Sequence, residues 1–145
     1  MKNILIVDDE NDIREALKGV FKDEGYCVAV AGSAEEALKR LDTSVPDLVL
    51  LDIWLPGMDG VDALKEIKAR FPFLPVIMIS GHANIETAVK TTKLGAYDFI
   101  EKPLSLDKVL LTAEHAFEHK RLLEENNAFK TKALARFAFG GGVVE

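Results

Sequence analysis

The chain has 145 residues, 48% hydrophobic and 29% charged, with a formal net charge of −6. That length supports one domain with its own core plus a short appendage, and the composition is that of a globular chain rather than a disordered one. The acidic balance argues against a grip on nucleic acid by this piece, and the single cysteine, Cys27, cannot close an internal disulfide, which suits a reducing compartment.

The apolar run ILIV from Ile4 is the first strand, and it ends directly on Asp8 and Asp9. Four apolar residues fall far short of a signal-peptide core or a membrane span, so a cytoplasmic location with no membrane partner is expected. Ile13, Ala16, Leu17, Val20 and Phe21 then recur at i, i+3, i+4, i+7 and i+8, the apolar stripe of a helix closed near Gly25. CVAVA from Cys27 is the second strand. Ser33, Ala34, Glu35 and Glu36 read as a capping box opening a helix that carries Ala37, Leu38 and Leu41. After a turn at Pro46, LVLL from Leu48 is the third strand, ending on Asp52. Leu64, Ile67 and Phe71 mark a third helix, stopped by Pro72. VIMI from Val76 is the fourth strand, ending on Ser80. The helix expected over 84–93 is the weakest, because Thr87, Thr91 and Thr92 are β-branched, and it should shift more easily than its neighbours. Gly95 turns the chain into the fifth strand, YDFI from Tyr97, which runs on to Lys102. A last helix starts after Ser105, with Leu106, Val109, Leu110, Ala113 and Phe117 expected to face inward.

Strand and helix alternating five times imply parallel strands joined by crossovers. The fold class is therefore α/β: a doubly wound five-stranded parallel sheet. In such a sheet, ligands bind beyond the carboxyl ends of the strands at a switch in strand order. Asp8, Asp9, Asp52, Ser80 and Lys102 all stand at those ends. If the order is 2-1-3-4-5, three carboxylates converge beside one hydroxyl and one ammonium. Such acids cannot all stay ionised unless a cation offsets them, and an all-oxygen cluster suits Mg²⁺. Next to such an ion a carboxylate can act as nucleophile on phosphorus, and Asp52, alone on its strand, is the candidate. Lys102 would offset phosphoryl charge and Ser80 would donate a hydrogen bond to it.

The set VDDE, LLDIWLPGMDG, MISGHA and DFIEKP resembles the receiver domain of bacterial two-component response regulators, over about residues 2–119 with every motif in order. The run SGHANIETAVKTTKLGAYDFIEKPLSLDKVL is further similar to the NtrC/NtrX-like branch of sigma-54-dependent activators. The resemblance implies a flavodoxin-like (receiver) fold of order 2-1-3-4-5, with residues 1–119 as receiver and 120–145 as a helical linker toward an output domain or a tail. It also implies that Asp52 takes a phosphoryl group from a sensor histidine kinase. Asp9, Asp52 and the Trp54 carbonyl would bind Mg²⁺ directly, with Asp8 acting through water. Ser80 and Lys102 would contact the phosphoryl oxygens, Phe99 would be the aromatic switch, and the Lys102–Pro103 bond would be cis. Such a domain is a phosphoacceptor rather than an enzyme with an outside substrate, and any contact with DNA would belong to another domain.

Plainer readings compete. Asp8 and Asp9 could cap the following helix, but capping accounts for one acid and not the pair. Trp54 and His82 lie two residues after Asp52 and Ser80, where they would gate the water that hydrolyses the phosphoryl bond, or merely decorate loops. His115 and His119 have zinc-binding spacing but no evident third ligand, which favours a solvated face. Ala116, Lys120, Leu123 and Asn127 trace a heptad stripe, and with the fourth-helix face they make a homodimer the expected assembly. A haloacid-dehalogenase-like phosphatase would need an acid where Trp54 stands. A flavodoxin-like cofactor binder would need a phosphate-cradling loop where DDENDI stands.

Overall fold

A computed structural model describes residues 1–82 and 84–139, with side chains in helices and strands described as far as residue 126. The chain runs β1 (Asn3–Val7), α1 (Asn11–Asp23), β2 (Cys27–Ala31), α2 (Ala34–Thr43), β3 (Leu48–Asp52), α3 (Gly60–Arg70), β4 (Val76–Ser80), α4 (Ile85–Lys93), β5 (Asp98–Glu101) and α5 (Leu106–Phe139). The five strands form one parallel sheet in the order β2-β1-β3-β4-β5.

Successive strand residues point to opposite faces. Leu5, Val7, Val49, Leu51, Val76 and Met78 pack with α2 and α3, whereas Ile4, Ile6, Leu48, Leu50, Ile77 and Ile79 pack with α1 and α5. Both faces are dry, so both parities of the strand must be apolar, and this explains the unbroken runs ILIV, LVLL and VIMI. Each fully buried Leu, Ile or Val adds about 1.5–3 kcal/mol of burial free energy. Strand ends are thereby held to a fixed register: Val7 lies beside Leu51, and Asp52 beside Ile79.

Side-chain caps open α2, α3 and α4: the Ser33 hydroxyl accepts from Glu36 N, the Asp59 carboxylate from Asp62 N and Asn84 Oδ1 from Thr87 N. The capping box of α2 is displaced by one residue, because the Glu36 carboxylate accepts from Gly32 N at 3.0 Å rather than from the cap residue itself. Helix α1 has Glu10 at its N-cap and no side-chain cap bond, so neither Asp8 nor Asp9 serves that purpose. Helix α4 buries only Thr91, whose hydroxyl donates back to the carbonyls of Thr87 and Ala88.

The inward face of α5 differs from expectation at its ends. Val109, Ala113, Ala116 and Phe117 are buried, while Leu106, in the first turn, is exposed. Ala116 is thus used inside the domain, and Lys120 ion-pairs with Asp47 at 3.1 Å, so neither is free to serve a heptad seam. The Asn127 side chain and the tail GGGVVE at 140–145 lie outside the described residues. Among the described residues, no helix is long and apolar enough to cross a membrane.

Candidate functional site

Three carboxylates and one ammonium meet at the carboxyl edge of the sheet. Asp8 follows β1, Asp52 ends β3, and Lys102 follows β5. Lys102 Nζ stands 2.9 Å from Asp8 Oδ2, 3.1 Å from Asp52 Oδ2 and 3.2 Å from Glu10 Oε1. Asp8 is fully buried and Asp52 almost so, while Glu10 reaches in from solvent.

Local backbone geometry sets each group. Asp8 Oδ1 accepts from Glu10 N at 2.8 Å, which turns the chain out of β1 and aims Oδ2 inward. Asp52 Oδ1 accepts from Trp54 N at 3.2 Å. The loop after Asp52 closes through Gly60 N to the Ile53 carbonyl at 2.8 Å, and a Cβ on Gly60 would lie 2.1 Å from the Asp52 carbonyl oxygen. Only glycine permits that approach. The Lys102–Pro103 peptide is cis, as the resemblance implied.

The charges are unevenly satisfied. Burial first, and then the neighbouring Asp8 charge, push the Asp52 carboxyl up to about 6, with Lys102 opposing both. Burial works against the Lys102 cation, but Asp8 and Asp52 outweigh it and hold its pKa above the ordinary lysine value. The Lys102–Asp8 contact is an ion pair off hydrogen-bond geometry, and Asp8 Oδ2 is left buried without a hydrogen-bond partner. That oxygen's ion-pair partner is the Lys102 ammonium, and its remaining lone pair leaves room for a second cation contact.

Asp8, Asp9 and Glu10 bring one carboxylate oxygen each within 4.8 Å of one another, the only such acidic group among the described residues. This donor set is all oxygen and two of its residues are exposed, which fits a cation that keeps part of its water shell, such as Mg²⁺. Glu10 was missed as a candidate, although the third acid in VDDE was its signal. Asp52 stands outside that trio, engaged instead by Lys102. The Trp54 side chain is exposed, and its ring meets His82 edge-on at 6.1 Å and 89°. Ser80 Oγ accepts from His82 N at 3.0 Å, which leaves the hydroxyl proton available to another acceptor. Phe99 is half-buried against the α2/α3 side of the core, paired in register with Met78. The His119 ring lies 5.2 Å from that of Tyr97, and among the described residues neither His115 nor His119 belongs to a group of three metal-ligating side chains.

The family model for the response regulator receiver domain matches residues 4–114. A putative NtrX-like response regulator from Rickettsia bellii is 48% identical over 134 residues, covering 91% of this chain and 28% of that protein. The crystal structure of NtrX from Brucella abortus superposes with a TM-score of 0.84 at 49% identity, covering 89% of this chain and 30% of that one. The solution structure of the beryllofluoride-activated NtrC4 receiver domain dimer gives a TM-score of 0.80 at 42% identity, covering 83% and 99%. The chain therefore spans under a third of the length of the NtrX-like relatives it matches.

Proposed function

The chain belongs to the response regulator receiver domain family, and from that premise we propose that it is a phosphorylation-controlled switch whose acceptor is Asp52. The observation that carries the reading is Lys102 held between the buried Asp8 and Asp52, 2.9 Å and 3.1 Å from their carboxylate oxygens. The cluster is incomplete as a set of protein charges and complete with one hard cation.

In this reading a sensor histidine kinase presents a phosphohistidine in the cytosol. The Asp52 carboxylate attacks phosphorus, the N–P bond breaks with its electron pair going to the imidazole, and that nitrogen takes up a proton. With its pKa near 6, Asp52 is mostly ionised at neutral pH and ready as nucleophile. Asp8, Asp9, Asp52 and the Trp54 carbonyl would hold Mg²⁺, which supplies positive charge for the phosphoryl oxygens. Lys102 leaves its carboxylate partners to meet the incoming phosphoryl group, and Ser80 turns its free proton toward it. Phe99 swings inward as Ser80 moves. The surface of α4, β5 and α5 changes with it, carrying the signal to a homodimer contact and to a transcriptional output domain of the sigma-54-dependent kind. The domain catalyses only its own phosphorylation and dephosphorylation.

Incubation with acetyl phosphate and Mg²⁺, followed by intact-mass measurement, tests this directly. One phosphoryl adduct is expected on the parent, none on Asp52→Asn, and none with EDTA. Labelling that survives in Asp52→Asn would overturn the assignment.

A further inference from the structure

Arg14, on the first turn of α1, reaches back across the loop that carries the acidic cluster. Its Nη1 donates to the Asp8 carbonyl at 2.7 Å, and its Nη2 to Asn11 Oδ1 at 3.2 Å. Both acceptors are uncharged, although Asp8, Asp9, Glu10 and Asp12 crowd the same stretch of chain. Gly32, at the start of the turn into α2, lies against the guanidinium, and a Cβ there would touch Nη1 at 3.5 Å. The guanidinium therefore sits in a fitted place, bound to backbone.

The Asp8 peptide is held at three points. Its N–H donates to the Ala31 carbonyl at 3.1 Å, its carboxylate accepts from Glu10 N, and its carbonyl accepts from Arg14. Remove the last, and the Asp8–Asp9 peptide can rotate, which swings Asp9 away from Asp8. We propose that Arg14 is a positioning residue for the cation site: by clamping the Asp8 carbonyl it holds the Asp8 and Asp9 carboxylates in one cluster. This rests on reading that cluster as the Mg²⁺ site.

The sign of one measurement separates geometry from charge. As a bare positive charge beside the cluster, Arg14 repels a divalent cation, and removing it would tighten binding. As a clamp, it preorganises the ligands, and removing it weakens binding about ten-fold, the usual scale for a group that orients metal ligands. Trp54, the only tryptophan, follows Asp52 by two residues, so its fluorescence is the probe used to follow Mg²⁺ binding. We expect the Mg²⁺ Kd to rise about ten-fold in Arg14→Ala and by less in Arg14→Lys, which keeps one donor. Metal-free melting in EDTA is expected to move little, since Arg14 holds a loop and not the core. An unchanged or tighter Kd in Arg14→Ala overturns the proposal. If that variant does not fold, Arg14→Lys decides: a raised Kd supports the clamp and an unchanged one overturns it. A parent whose fluorescence and melting temperature both ignore Mg²⁺ overturns the metal-site reading itself, and the clamp falls with it.

Discussion

At the scale of single residues, Asp52 is a poor resident of its site until something arrives to use it. Its folded pKa, near 6, lies above the unfolded carboxylate value, so folding favours the protonated acid. The stability tied to that group is complete below about pH 4 and is lost as pH rises through about 6. Asp52→Asn removes the buried charge and should stabilise the EDTA-treated domain by roughly 1–3 kcal/mol near pH 7.5, the gain closing toward about pH 4. Thermal melts at the two pH values check this; a parent more stable than the variant near neutral pH would contradict it. Trp54 and His82 form a second residue-scale feature, since their edge-on rings stand over the loops that carry Asp52 and Ser80. Replacing either with Ala should open a path for water and speed loss of the phosphoryl group about five-fold, worth ~1 kcal/mol in barrier. Rates of dephosphorylation after removal of the donor measure it, and unchanged rates in both variants would dismiss the gate. Asp8, Asp52 and Lys102 were legible from their strand-end positions. Glu10 and Arg14 were not, because a glutamate beside two acids and an arginine on a polar helix face each have a bland surface reading that only the fold removes.

At the scale of elements, two glycines, one in the loop after β3 and one opening α3, carry different burdens. Gly57 has a φ of +78°, and a Cβ there would meet the movable end of the Glu35 side chain at 2.7 Å. Gly60 would press a Cβ against the Asp52 backbone, which cannot give way without displacing the acceptor. Gly57→Ala should therefore cost about 1–2 kcal/mol, and Gly60→Ala roughly 3 kcal/mol or more together with loss of phosphoryl labelling. Denaturant melts give the ranking; a smaller cost at residue 60 than at 57 would refute this account of the loop. The helices were read well where apolar spacing was strong, as in α1, where Leu17 and Phe21 are buried as the stripe required. Spacing served less well in α5. Leu106, read as inward, is exposed, while Ala116, read as part of an outward heptad stripe, is buried.

At the scale of the whole molecule, five of the nine exposed large hydrophobic side chains among the described residues lie on α4 and α5. Ile85 is 81% exposed, and Val89, Leu106 and Leu111 are exposed with it. The homodimer proposed above should use this surface. Light scattering with beryllofluoride and Mg²⁺ should give a mass above the monomer for the parent and the monomer mass for Ile85→Asp combined with Val89→Asp. A parent that stays monomeric with and without beryllofluoride would remove the dimer from the reading. By itself, the sequence determined the parallel α/β class, the order of elements and the strand-end acids. Those follow from local rules, since apolar period and turn residues act over a few neighbours along the chain. Only the tertiary structure decided that Lys102 meets Asp8 across ninety-odd residues of chain, that Asp8 is fully buried, and that Arg14 grips its carbonyl. Contacts of that kind depend on how far each strand runs before it ends, and a sheet sets that length only when all five strands are packed together.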